Sequence, residues 1–154
     1  MGELIMQAVI FIGVQATGKT TFYKESFINT HVRISLDLLK TRHREKVFLD
    51  TCLENRQSFV IDNTNPTIDD RKRYIIPAKE AKFEVVGYYF ESKMAASLQR
   101  NQVRSGKERI PDVGIRSTYY KLIIPTLSEG FDKLYYVKIN PQGLFVVDEW
   151  TDEI

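Results

Sequence analysis

The chain has 154 residues, 43% of them hydrophobic and 27% charged, with a formal net charge of +2. That length suits one ordinary domain with a sizeable core, and that balance excludes a disordered or membrane-embedded chain. The charge is nearly neutral but unevenly spread: Asp148, Glu149, Asp152 and Glu153 gather at the C-terminus, leaving the rest of the chain net positive.

In chain order, the first signal is the apolar run LIMQAVIFIGV. It carries Glu3 in place of a basic n-region and leads into a glycine motif, so it reads as a buried strand, Gln7–Ile12, and not as a secretion signal. It is too short to cross a bilayer. The lone Cys52 allows no internal disulfide and points to a reducing, cytoplasmic setting. GVQATGKT, Gly13–Thr20, then matches the P-loop pattern, with a strand before it and a helix, Lys19–Phe27, after it. Such a loop turns its backbone N–H groups onto phosphates, and the helix N-terminus adds positive potential. The expected ATP contacts are Gly13, Gln15, Ala16, Thr17, Gly18, Lys19, Thr20 and Thr21, with the Thr20 hydroxyl available to Mg²⁺.

A strand at His31–Ser35 leads to Asp37, at the start of a helix read as Asp37–Arg56. Parallel α/β sheets place ligands at the carboxyl ends of their strands, so Asp37 is expected to face the crevice that holds Lys19. On its residues alone Asp37 is either a base for an acceptor hydroxyl or a helix-dipole partner. Lys40, Arg42, Arg44 and Lys46 follow as a basic cluster, read equally as a track for a phosphate backbone or as a solvated helix face. A third strand, Ser58–Asp62, ends in the polar run Asp62-Asn63-Thr64-Asn65, with Asp62 as the Walker-B-type acid. Asp148-Glu149, near the C-terminus, is the weaker candidate for that role.

Thr67 and Asp70 suggest the cap of a helix over Thr67–Lys82, in which Pro77 predicts a kink or an early end. A strand at Phe83–Phe90 precedes helices at Lys93–Ser105 and Val113–Leu122. Between residues 93 and 121 lie Lys93, Arg100, Arg104, Lys107, Arg109, Arg116 and Lys121 against Glu108 and Asp112. Arg100 and Arg104 share one helical face, as a phosphate-covering lid or as a solvated basic end. Tyr119, Tyr120, Tyr135 and Tyr136 are read as core packing in preference to base stacking. A strand at Leu134–Ile139, the turn NPQG and an antiparallel edge strand at Leu144–Val147 complete the chain. The fold class is α/β: a kinase-type P-loop three-layer sandwich with a mainly parallel sheet of about five strands, a helical lid and a C-terminal edge strand, all in a single domain, 1–154.

These pieces together resemble the polynucleotide 5′-hydroxyl kinases over about Val9 to Lys138. The resemblance rests on GVQATGKTTF, SLD after the second strand, VIDNTNP, RNQVRSGKERIP, IRSTYYK and PTLSEGF. It implies transfer of the γ-phosphate of ATP to the 5′-hydroxyl end of DNA or RNA. Lys19 and Thr20 would hold phosphates and Mg²⁺, Asp37 would be the general base, and Arg104 the lid arginine, supported by Arg100. Asp62 would hold a Mg²⁺-bound water, while Asn63 and Asn65 would orient Asp37 or the acceptor phosphate. Lys40 stands where some members place an arginine on that phosphate, and it lacks the bidentate fork. Many members carry a fused phosphatase or ligase, steps that separate proteins would supply here. Two other readings stand beside it: a kinase of a sugar or nucleoside, and an ATP-binding switch without catalysis.

Overall fold

The structure is a computed structural model that describes residues 5–151. Asp152 and Glu153 of the acidic tail, and Glu3, lie outside the described residues. One six-stranded sheet has the order β2-β3-β1-β4-β5-β6, where β1 is Gln7–Ile12, β2 Val32–Ile34, β3 Phe59–Ile61, β4 Glu84–Phe90, β5 Lys133–Ile139 and β6 Phe145–Glu149. The first five strands run parallel, and β6 closes the edge antiparallel to β5. The P-loop strand β1 is thus central, with the Asp62 strand β3 as its parallel neighbour, whereas Asp148 and Glu149 sit on the far edge. That placement removes Asp148-Glu149 from the Walker-B role.

Period-two alternation divides β1 between two cores. Ala8, Ile10 and Ile12 pack with Ile34, Phe59, Ile61, Leu49, Tyr74 and Ala78 under helices α3 (Arg42–Glu54) and α4 (Ile68–Glu80). Val9 and Phe11 pack with Val60, Val86, Phe22 and Phe27 under helix α1 (Lys19–Ser26). Helices cover both faces of a sheet whose central strands are almost wholly buried, as parallel sheets require. Helices α5 (Met94–Gln102) and α6 (Asp112–Lys121) form the lid region. Among the described residues no helix is long and apolar enough to cross a membrane.

Two helix boundaries differ from the sequence reading. The segment Asp37–Arg56 is not one helix: a four-residue turn, α2 (Leu36–Leu39), stops at Lys40, whose φ is +75°, and α3 restarts from Thr41. The Thr41 side chain accepts from Arg44 N at 3.1 Å, a cap that stabilises the restart by about 1 kcal/mol. The fourth helix runs past Pro77 to Glu80, because the capping box of Thr67 and Asp70 fixes its start and only one turn remains after the proline. Its end is a Schellman arrangement with Lys82 left-handed: Phe83 N donates to Ala78 O, and Lys82 N to Lys79 O, both at 3.0 Å. α3 ends in the same way around Arg56, where Gln57 N donates to Cys52 O at 2.9 Å.

Candidate active site

β1, β2 and β3 run parallel as neighbours, so their carboxyl ends lie on the same side of the sheet. β1 delivers the glycine loop, which is fastened at its base: Gly13 N donates to Thr64 O at 3.0 Å, and Val14 N to Ser92 Oγ at 3.1 Å. Ala16 and Gly18 take left-handed φ values of +62° and +91°, and the curl leaves the first N–H groups of α1 with no side-chain cap. A Cβ at Gly18 would sit 2.9 Å from the ring of Phe145, so glycine is required both by φ and by the aromatic packed behind it.

Lys19 is buried and folded back on the loop, its Nζ donating to Gly13 O at 3.0 Å and Val14 O at 2.7 Å. Burial pushes this ammonium down from 10.5 to about 8, opposed by Asp62; Arg104 lowers it further and Asp37 raises it. The charges at the exit of β2 and in the lid therefore act on the same ammonium as the acid of β3. Asp37 itself is exposed in the first turn of α2.

Thr20 and Asp62 meet: Thr20 Oγ1 donates to Asp62 Oδ2 at 2.8 Å. A hydroxyl and a buried carboxylate at one point are hard oxygen donors, the set with which Mg²⁺ is held beside phosphates and water. Among the described residues no cluster of three His, Cys, Asp or Glu offers an alternative metal site. Arg33 was not singled out in the sequence, yet its Nε donates to the same Asp62 Oδ2 at 2.8 Å, and its Nη2 lies 3.4 Å from Thr20 Oγ1. The signal was a basic residue inside a three-residue apolar strand; its register beside Val60 turns it toward the α1 face.

The lid touches the loop at two points. Arg100 Nη1 donates to Ala16 O at 3.3 Å, and Gln15 Nε2 to Thr118 Oγ1 at 3.0 Å. Arg104 donates to Glu108 O at 3.2 Å within the lid. Thr21 is exposed on α1 and Thr17 is buried, its hydroxyl donating to Val14 O at 2.9 Å.

The asparagines of VIDNTNP are engaged with the protein. Asn65 is buried, left-handed at φ +47°, and donates from Nδ2 to Phe11 O at 2.8 Å. Asn63 accepts from Leu36 N at 2.9 Å, so it grips the turn that carries Asp37 through its backbone. Lys40 is exposed beyond that turn, and the basic cluster is divided: Arg42 pairs with Glu45 and Lys46 with Asp50, each N–O pair within 2.9 Å. Arg71 and Glu129, also missed in the sequence, form a buried bidentate pair at 2.7 and 3.0 Å that binds PTLSEGF to the exit of β3. Core packing describes Tyr135, stacked on Tyr88, and Tyr136, whose hydroxyl donates to Glu91, but Tyr120 is 76% exposed and Tyr119 lies beside it at the surface.

Known proteins share this fold. Residues 9–117 match the family described as AAA domain. The chain is 28% identical over 129 residues to the bifunctional polynucleotide phosphatase/kinase of Schizosaccharomyces pombe, covering 81% of this chain and 32% of that protein. It thus spans about a third of the length of the curated relatives it matches. Among solved structures it resembles a fungal RNA kinase (TM-score 0.67, 13% identity, 88% of this chain and 39% of that one). It also resembles a gluconokinase from Sinorhizobium meliloti (TM-score 0.60, 15% identity, 88% and 84%). By strand order, glycine loop and sequence match, the chain belongs to the AAA domain family, as a kinase-type P-loop domain related to the polynucleotide kinases.

Proposed function

We propose that the chain transfers the γ-phosphate of ATP to the 5′-hydroxyl of a polynucleotide. The observation that supports the reading is that Asp37, just after β2, and Lys19, just after β1, follow strands that run parallel in one sheet, and the Asp37 carboxylate is among the charges that act on the Lys19 ammonium. The loop amides and Lys19 bind the phosphates, leaving Nζ free to exchange the Gly13 and Val14 carbonyls for phosphate oxygens. Thr20 and Asp62 would hold Mg²⁺, which screens phosphate charge when bound. Asp37 orients the acceptor hydroxyl and takes its proton late in transfer. Arg104, with Arg100 already on the loop, offers guanidinium donors to the transferred oxygens. Polynucleotide is favoured as acceptor because the Schizosaccharomyces pombe relative, named as a polynucleotide phosphatase/kinase, matches most of this chain.

The test is a labelling assay with γ-phosphate-labelled ATP, in which a 5′-OH oligonucleotide competes with a panel of sugars and nucleosides. Label on the oligonucleotide end is the expected result, and label confined to a small molecule overturns the reading. A small-molecule acceptor is the second reading, favoured by gluconokinase and sugar kinase neighbours of the same fold and by the near-neutral charge.

The state of Lys19 gives a separate expectation. Bound phosphate stabilises the ammonium, so nucleotide raises a pKa that stands at about 8 in the free protein. Above that pH the amine is largely neutral before binding and must take up a proton. ADP affinity is therefore expected to weaken as pH rises from about 8 to about 10, by up to about tenfold per unit. Calorimetry in buffers of different ionisation heat should show proton uptake over that range. Affinity that stays flat would separate Lys19 from the phosphates.

A further inference from the structure

We infer that Glu45, outside every motif above, is a positioning residue that sets the orientation of Asn63 and through it the turn bearing Asp37. This inference rests on the proposed role of Asp37 as the base. Glu45 lies on the inner face of α3 and is 2% exposed, an acid placed where only paired charges are found. Three donors converge on it. Arg42 Nη1 donates to Oε1 at 2.9 Å, the Tyr74 hydroxyl to Oε1 at 3.0 Å, and Asn63 Nδ2 to Oε2 at 2.9 Å.

The direction of these bonds matters. A carboxylate only accepts, so the side of the Asn63 amide that faces Glu45 must be its NH₂. The carbonyl then has to face the other way, and there it accepts the backbone N–H of Leu36 at 2.9 Å. Leu36 is the first residue of α2 and Asp37 the second. That turn is otherwise held by its own backbone bonds and by the Leu39 side chain, packed against the core. It has four residues, none of them buried, its Ser35 cap makes no side-chain bond, and it ends at the left-handed Lys40. An Asn63 turned over would aim an NH₂ at the Leu36 N–H, donor against donor, and would release the turn. One buried carboxylate thus selects the amide orientation that fixes the base.

The polarity can be reversed without changing shape. In Glu45→Gln one of the two terminal atoms becomes a donor, so the amide can meet either orientation of Asn63 and no longer selects one, while Arg42, half-exposed, can turn its charge to water. In Asn63→Asp two carboxylates face each other. In the double variant the new amide on α3 donates to the new carboxylate after β3. The other oxygen of that carboxylate accepts from Leu36 N, so every direction is restored.

Two readouts test this on the full chain: backbone amide exchange at residues 36–40, and kcat and KM for transfer with ATP and a 5′-OH oligonucleotide. Each single variant is expected to speed exchange and to lower kcat by about tenfold or more, since misplacement of a reacting group is costly in rate. KM for ATP should stay within about twofold, because the glycine loop is untouched. The double variant should recover slow exchange and most of the lost kcat. Unchanged exchange in both single variants, or a double variant no better than the product of the singles, overturns the relay. Faster exchange with an unchanged kcat would leave the relay standing and instead overturn the assignment of Asp37 as the base.

Discussion

Asp37→Ala is expected to lower single-turnover phosphoryl transfer by about a thousandfold, within the range that general-base catalysis supplies. Nucleotide affinity should remain within about twofold, because Asp37 touches none of the loop bonds that hold Lys19. Stability should change by no more than about 1 kcal/mol, since the side chain is exposed and offers at most a first-turn helix-dipole contribution. This profile separates the readings of Asp37: a dipole partner loses a little stability and no rate, whereas a base loses rate and nothing else. Quenched-flow transfer beside fluorescent-nucleotide binding measures both quantities. Equal transfer by the variant would remove Asp37 from the chemistry.

The largest stability effect is expected at Arg71. Its guanidinium is fully buried, forks onto Glu129, and also donates from Nη1 to Asn65 O at 3.0 Å and Pro66 O at 3.2 Å. Glu129 in turn accepts from Thr126 N at 2.9 Å. Arg71→Met strands a buried carboxylate and leaves two loop carbonyls without donors, at a cost of about 3–5 kcal/mol. For a domain of this size that lowers the melting temperature by about 10 °C or more. Glu129→Leu should cost a similar amount by stranding the guanidinium. The double variant should cost less than the sum of the two, because no unpaired charge remains. Strict additivity in calorimetric unfolding would show that the two groups do not depend on each other.

How far the sequence reaches is seen in where its signals are local. The glycine loop, the alternation of strands and helices, and the Thr67–Asp70 cap are short-range patterns, and each is found in the structure at its expected place. Asp62 at the end of an apolar run implied a strand beside β1, and the sheet order supplies it. The break at Lys40 was hidden because left-handed turns are usually signalled by glycine. Here Lys40, Arg56 and Lys82 occupy them instead. Thr41 was the one legible hint, a capping residue in the middle of an apparently continuous helix. Arg33 needed strand register to show which way it points. Arg71 and Glu129 lie 58 residues apart, and Glu45 and Asn63 lie 18 apart, so neither pair exists until the fold brings it together. Asn63 and Asn65 were recognised as belonging to the crevice, but their amides are committed to Leu36 and Phe11, which only the folded chain reveals.

The left-handed residue at Lys40 also divides the chain into parts that are free to evolve at different speeds. Arg44, Val47, Phe48 and Thr51 face solvent on α3, and Asp37 does not ride on that helix. Change across this outer surface leaves the bond from Leu36 N to Asn63 untouched, so the turn that bears Asp37 keeps its place beside the sheet.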